Sequence, residues 1–131
     1  MADVKNVVDT LEGLTPFQGR RPDTPEAEIN AAFATLHDYR DGAIFTCSYS
    51  GDSPWERHVS GDEIVYVLDG SARIFLLEQA GEEVVTLVKG SMIIVPQNIW
   101  HRFESPDGVT VLSVTPQPTD HSQADDPRDA G

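Results

Sequence analysis

The feature that constrains this chain most is its punctuation. Between residues 31 and 116, short apolar segments alternate with Gly-, Pro-, Asn- and Asp-bearing breaks at roughly ten-residue intervals. AIFTCSYS runs into Gly51-Asp52-Ser53-Pro54, WERHV into Ser60-Gly61-Asp62, and EIVYVL into Asp69-Gly70. ARIFLLEQ, EEVVTLV, SMIIV, IWHRFE and VTVLSV follow, separated by Ala80-Gly81, Lys89-Gly90, Pro96-Gln97-Asn98 and Pro106-Asp107-Gly108. Segments this short are strand-length, and helical periodicity is absent from them. The expectation is an all-β domain of about eight strands, a small antiparallel β-barrel or double-sheet jelly roll. Asp69-Gly70 is predicted to close a type I′ hairpin between EIVYVL and ARIFLLEQ, because those residues tolerate positive φ.

The flanks read differently. Residues 1–30 form an N-terminal arm, with a short helix over Val4, Val7, Val8 and Leu11 and then an extended stretch carrying Pro16, Gly19, Pro22 and Pro25. Residues 117–131 hold no large apolar side chain and are rich in Asp, Pro and Ser, so a disordered, flexible tail is expected. In EIVYVL, VVTLV and MIIV both strand faces are apolar, whereas a half-solvated antiparallel strand alternates. Something must cover the second face, and a homodimer is the expectation, with the N-terminal arm as the other candidate.

Charge and cysteine content exclude several classes. Asp and Glu number 22 against 9 Lys and Arg, for a net charge of −13, which repels nucleic-acid phosphates and anionic membranes alike. Cys47 is the sole cysteine, so an internal disulfide and a cysteine-based zinc cluster are excluded, and in its apolar β-rich segment it reads as an inert buried thiol. The first residues lack the uninterrupted apolar run of a secretory signal, and a cytoplasmic single domain is expected.

Chemistry-bearing side chains gather in the strand region. Glu56 and His58 stand two apart in WERHV and share a strand face; Glu63 follows across a Gly-containing turn; His101 opens a later strand. Two imidazoles and two carboxylates arriving from three strands suit a divalent metal with mixed nitrogen and oxygen ligands. Val65 and Val67 share the parity of Glu63, and Phe103 that of His101, so these three should line a small-molecule pocket. Trp55 and Trp100 fall on the opposite face, while His37 and His121 read as solvent-facing.

These residues resemble the cupin superfamily, whose two motifs are G-x5-H-x-H-x3–4-E-x6-G and G-x5-P-x-G-x2-H-x3-N. Glu56-x-His58, four residues, Glu63, six residues and Gly70 reproduce the first spacing; Gly90, five residues, Pro96-x-Asn98, two residues and His101 reproduce the second. The resemblance spans roughly residues 42–115 and implies that His58, Glu63 and His101 are metal ligands. The departures are Glu56 for the first histidine, Asn98 for a glycine, Ser105 for the terminal asparagine, and Ser50 at the leading glycine with Gly51 one residue late. Glu56 is the substantive change. As a fourth ligand it would take the shell around a divalent ion from one net positive charge to neutral, favouring Mn²⁺, Fe²⁺ or Zn²⁺ over soft Cu(I). As a free carboxylate it would be a general base on substrate; a third role is to satisfy Arg57 or Arg102. The resemblance thus implies a metal-binding enzyme of oxygenase, isomerase or cyclase type, with a small organic substrate and one divalent transition metal (Fe, Mn or Zn). The alternative is a metal-free cupin that binds or senses a small ligand.

Overall fold

Strands of this length need a partner sheet to bury their inner faces, and the partner here is formed by the same two long strands bent around a corner. The structure, a computed structural model, describes residues 2–130. In chain order the elements are α1 (Val7–Glu12), β1 (Phe17–Arg20), α2 (Glu26–Ile29) with a 3₁₀ turn (Asn30–Ala32), β2 (Phe33–Tyr39) and β3 (Gly42–Asp52). Then come β4 (Trp55–His58), β5 (Glu63–Glu78), β6 (Gly81–Val88), β7 (Met92–Val95), β8 (Trp100–Pro116), β9 (Thr119–Ser122) and a final 3₁₀ turn (Pro127–Ala130). Among these residues no helix is long and apolar enough to cross a membrane.

The strands β5 and β8 pair antiparallel along nearly their whole lengths, from Ile64 opposite Val114 to Leu77 opposite Trp100. The first half of β5 also carries β7 and the second half β6; the far edge of β8 carries β3 along most of its length, and β4 where Glu56 faces His101. β2 forms a hairpin on β3, while β1 pairs parallel to β3. The result is a closed-over, double-sheet β-barrel of jelly-roll type. Its core is the inward face of these strands, with Val65, Val67, Ile74 and Leu76 of β5 meeting Tyr49, Leu87, Val95 and Val109.

Two sequence expectations are corrected. Asp69-Gly70 is not a hairpin: β5 continues through it, and the register to β8 shifts on either side. Pro106-Asp107-Gly108 likewise sits inside the continuous β8. The reason is a close backbone approach at the barrel corner, where Gly70 (φ 75°) lies against Gly108 (φ 104°) and a Cβ on Gly70 would sit 2.2 Å from the Gly108 carbonyl oxygen. Positive-φ glycines facing one another let two strands bend together instead of reversing.

The second correction concerns the tail. Thr119–Ser122 is a strand, β9, antiparallel to β4, with Glu56 opposite His121 and His58 opposite Thr119. Polar contacts hold it: Arg57 grips Asp120 Oδ2 at 2.9 and 3.1 Å, and Trp55 Nε1 donates to the Asp125 carbonyl at 3.2 Å. In the N-terminal arm α1 is capped by Asn6, whose side chain accepts from the Asp9 amide, and the stretch after it holds β1 and α2.

Candidate metal centre

His58 ends β4, Glu63 begins β5 and His101 is the second residue of β8, so strand register alone carries the three to the inner face at one end of the barrel. Their ligand atoms all lie within 4.8 Å of one another. All three are buried, with exposures of 3%, 6% and 1%. Glu63 Oε1 lies 3.2 Å from His101 Nε2, and Glu63 Oε2 lies 3.4 Å from His58 Nε2. The Thr115 hydroxyl donates to Glu63 Oε2 at 2.6 Å, fixing the carboxylate from behind.

The outer nitrogens of both rings are committed. His101 Nδ1 donates to the Ile99 carbonyl at 3.0 Å, which leaves Nε2 as the ring's inward atom. The Thr119 hydroxyl gives its proton to Gln117 Oε1 at 3.2 Å and so accepts from His58 Nδ1 at 3.0 Å. His58 Nε2 is then a buried lone pair with no hydrogen-bond partner among the described residues. Imidazoles tied down through one nitrogen, with the other aimed at a shared carboxylate, are arranged as metal ligands are. Two nitrogens and one carboxylate oxygen suit Zn, Fe or Mn, so the donor set fits the ion that the resemblance implies.

Taken by themselves, Glu63 and His101 have the electrostatics of a buried ion pair. Burial pushes the Glu63 carboxyl up, but the hydrogen bond and charge of His101, with the His58 ring beside it, outweigh burial and hold the group at about 2. For His101 burial pulls downward, while the Glu63 hydrogen bond and charge, the Glu56 charge and the Ile99 carbonyl together raise it.

A cavity of about 590 Å³ opens beside the three residues, lined by Glu63, Val65, Phe103 and Glu56 among others. Phe103 meets the His101 ring edge-on, centroids 6.1 Å apart. Val67 does not reach this cavity; it lies fully buried in the packed core, deeper along β5 than its parity partner Val65. Glu56 lines the cavity but stands outside the group of three, its Oε2 3.6 Å from His121 Nε2. His121, expected to face solvent, is half exposed yet forms a cross-strand row with Glu56 and His101 and lines the same cavity. The alternation of Thr119 and His121 around Asp120 in the segment TDHS was the signal for β9, masked by the lack of any apolar residue.

A small jelly-roll barrel with two imidazoles and a carboxylate aimed at one buried point defines a class, the β-barrel proteins whose interior gathers side chains that could hold a metal ion. Residues 43–115 match the family model of the Cupin domain, and the chain belongs to that family. Among solved structures it resembles a Neisseria meningitidis protein at 18% identity and TM-score 0.61, covering 92% of this chain and 100% of that one. It also resembles a hydroquinone 1,2-dioxygenase in complex with Cd²⁺ and 4-hydroxybenzonitrile, at 21% identity and TM-score 0.56, covering 64% of this chain and 63% of that one. A Bacillus subtilis oxalate decarboxylase variant matches at 19% identity and TM-score 0.52, covering 57% of this chain and 21% of that one. At such identities the likeness establishes the fold. A comparison with curated proteins returns no match.

Proposed function

We propose that this protein is a metal-dependent enzyme of oxygenase type, acting on a small organic molecule held in the barrel cavity. The observation that carries the reading is the unpartnered Nε2 of His58, buried and facing a carboxylate that also faces His101. Two histidines and one carboxylate are the donor set of non-haem iron(II) oxygenases, with Mn²⁺ and Zn²⁺ as the other occupants and isomerase or cyclase chemistry as the non-redox counterpart. A bound ion would supply open coordination positions at which substrate or O₂ is held and polarised. His58, Glu63 and His101 hold it; Thr115, Thr119 and Ile99 keep those ligands in place. Glu56 acts as the base, taking a proton at Oε2 and passing it toward His121 rather than serving as a fourth ligand. Val65 and Phe103 exclude water from the reacting end. The likeness to a dioxygenase and to a decarboxylase supports the same reading, as does a cavity within the usual range for small-molecule sites.

The test is elemental analysis of protein purified without chelator. Close to one transition metal per chain is expected, with loss of retention in His101→Ala; metal content unchanged in that variant would remove the assignment. Mn²⁺, Fe²⁺ or Zn²⁺ should also raise the thermal midpoint, reversibly by chelator.

A second reading rests on the ion pair itself. Glu63 already has both imidazoles as close neighbours without any ion, which suits a metal-free cupin that binds a small ligand. Indifference of the thermal midpoint to every metal would select it. On either reading we propose a homodimer formed through the exposed apolar face of β5 and β7, where Tyr66 and Met92 are cross-strand partners.

A further inference from the structure

The cavity has a second polar feature that the metal centre does not use. Arg20, the last residue of β1, lines its wall. It lies over the Tyr49 ring at 4.8 Å and the Phe33 ring at 5.4 Å, two rings that are themselves parallel. Its Nε is shielded from solvent and has no hydrogen-bond partner among the described residues. Among the described residues no carboxylate lies within ion-pair distance of it, although acids outnumber bases 22 to 9 in this chain. Arg21, Arg57, Arg73, Arg102 and Arg128 each have such a partner. Arg40, the remaining arginine without one, is fully exposed.

Placement of Arg20 is specified by the backbone. β1 docks parallel on β3 with Arg20 opposite Gly51, and a Cβ on Gly51 would sit 2.2 Å from the Arg20 carbonyl oxygen. Gly51 also holds φ 106°. The Gly19 amide donates to Ser50 Oγ at 3.0 Å, locking the neighbouring register. A guanidinium whose Nε is shut off from water without an acceptor costs stability, and it persists where a ligand supplies the missing acceptor.

We propose that Arg20 binds the carboxylate of an organic acid, so that the substrate class of the cavity is a small monocarboxylate with an apolar or aromatic body. The proposal rests on the reading of this cavity as the substrate site. The fork of the guanidinium matches a carboxylate, and the intervening walls, Phe33, Phe45, Val65, Phe103 and Val111, are apolar. Glu26, Glu56 and Glu63 line the same space, so one unpaired cation admits one negative charge and disfavours a phosphate dianion.

The probes are benzoate, its neutral isostere benzamide, and phenyl phosphate, titrated calorimetrically into protein as purified. Benzoate should bind about ten- to a hundredfold tighter than benzamide, the difference a charge-assisted hydrogen-bonded pair makes. In Arg20→Gln that preference should vanish, benzoate losing far more affinity than benzamide, and Arg20→Lys should keep part of it. In the unmutated protein, benzoate should shift the Arg20 Nε–H resonance and benzamide should not, which needs no variant to fold. Preference surviving in Arg20→Gln, benzoate no tighter than benzamide, no binding by either, or phenyl phosphate the tightest would each overturn the proposal. Metal content is measured on the same samples. Absent metal with intact benzoate preference overturns the oxygenase reading alone, and retained metal without the preference overturns this inference alone.

Discussion

At Glu63 two forces of opposite sign meet, and their balance sets how the metal-free protein responds to pH. Burial favours the neutral acid; the imidazoles of His101 and His58 favour the carboxylate and prevail, holding the group at about 2 against an ordinary 4.5. A depressed acid stabilises the fold above its unfolded value, and that contribution is lost as pH falls from about 4.5 toward about 2. His101 is raised from 6.5, so its contribution is full below 6.5 and is lost as pH rises through the higher folded value. Urea midpoints of chelator-treated protein should therefore fall on both sides of a plateau lying between those limits. Glu63→Gln should flatten both wings together, since one contact serves both groups; a variant that keeps either wing would show that another pair carries it. Asn98 makes the complementary point about backbone. It stands where the family has a glycine and adopts φ 67°, a conformation Asn reaches more cheaply than other side-chain-bearing residues.

Elements carry the parts of the site that single residues cannot. β9 closes the open edge of β4, delivers Thr119 to His58 Nδ1 and sets His121 beside Glu56. Deleting residues 117–131 should lower the thermal midpoint and weaken metal retention at once, because His58 loses the acceptor that fixes its tautomer; retention equal to the full chain would show that the ring orients without β9. The barrel corner gives a second contrast. Gly70→Ala adds a clash with Gly108 to an unfavourable φ, whereas Gly90→Ala, at φ 88°, meets nothing within 4 Å. The Gly90 variant should lose about 1–2 kcal/mol from φ alone, and the Gly70 variant distinctly more, by denaturant unfolding. These same elements mark where the sequence could and could not be read. The convergence of His58, Glu63 and His101 was legible because strand parity and motif spacing are local properties. β9 was not, since Arg57–Asp120 and Trp55–Asp125 are long-range polar contacts that leave no hydropathic trace. Asp69-Gly70 misled because a hairpin turn and a two-strand bend ask for the same positive φ, and only the approach of Gly108 separates them.

The whole molecule carries a large excess of acidic side chains, and part of its surface is an apolar face on β5 and β7. Ile64 pairs with Ile94 and Tyr66 with Met92 across β5 and β7, on the side opposite Val65 and Val67. Tyr66, Met92 and Ile94 are 37%, 59% and 46% exposed. A patch of this kind, on strands whose other face is already core, is where a second copy gains most by burying apolar area. The opposing term is charge, because each copy carries −13 and like charges repel at the rim. Salt screens that repulsion within about 10 Å at ~0.1 M ionic strength and leaves apolar burial intact. Association should therefore tighten as salt is raised, the reverse of a dimer held by ion pairs. Sedimentation equilibrium should return a mass near twice 14.4 kDa, more completely at higher salt. Met92→Glu combined with Ile94→Lys should return the monomer mass at every salt concentration while leaving metal content unchanged, since neither residue faces the centre. A wild-type protein that sediments as a monomer throughout the salt series would show that this face is left bare.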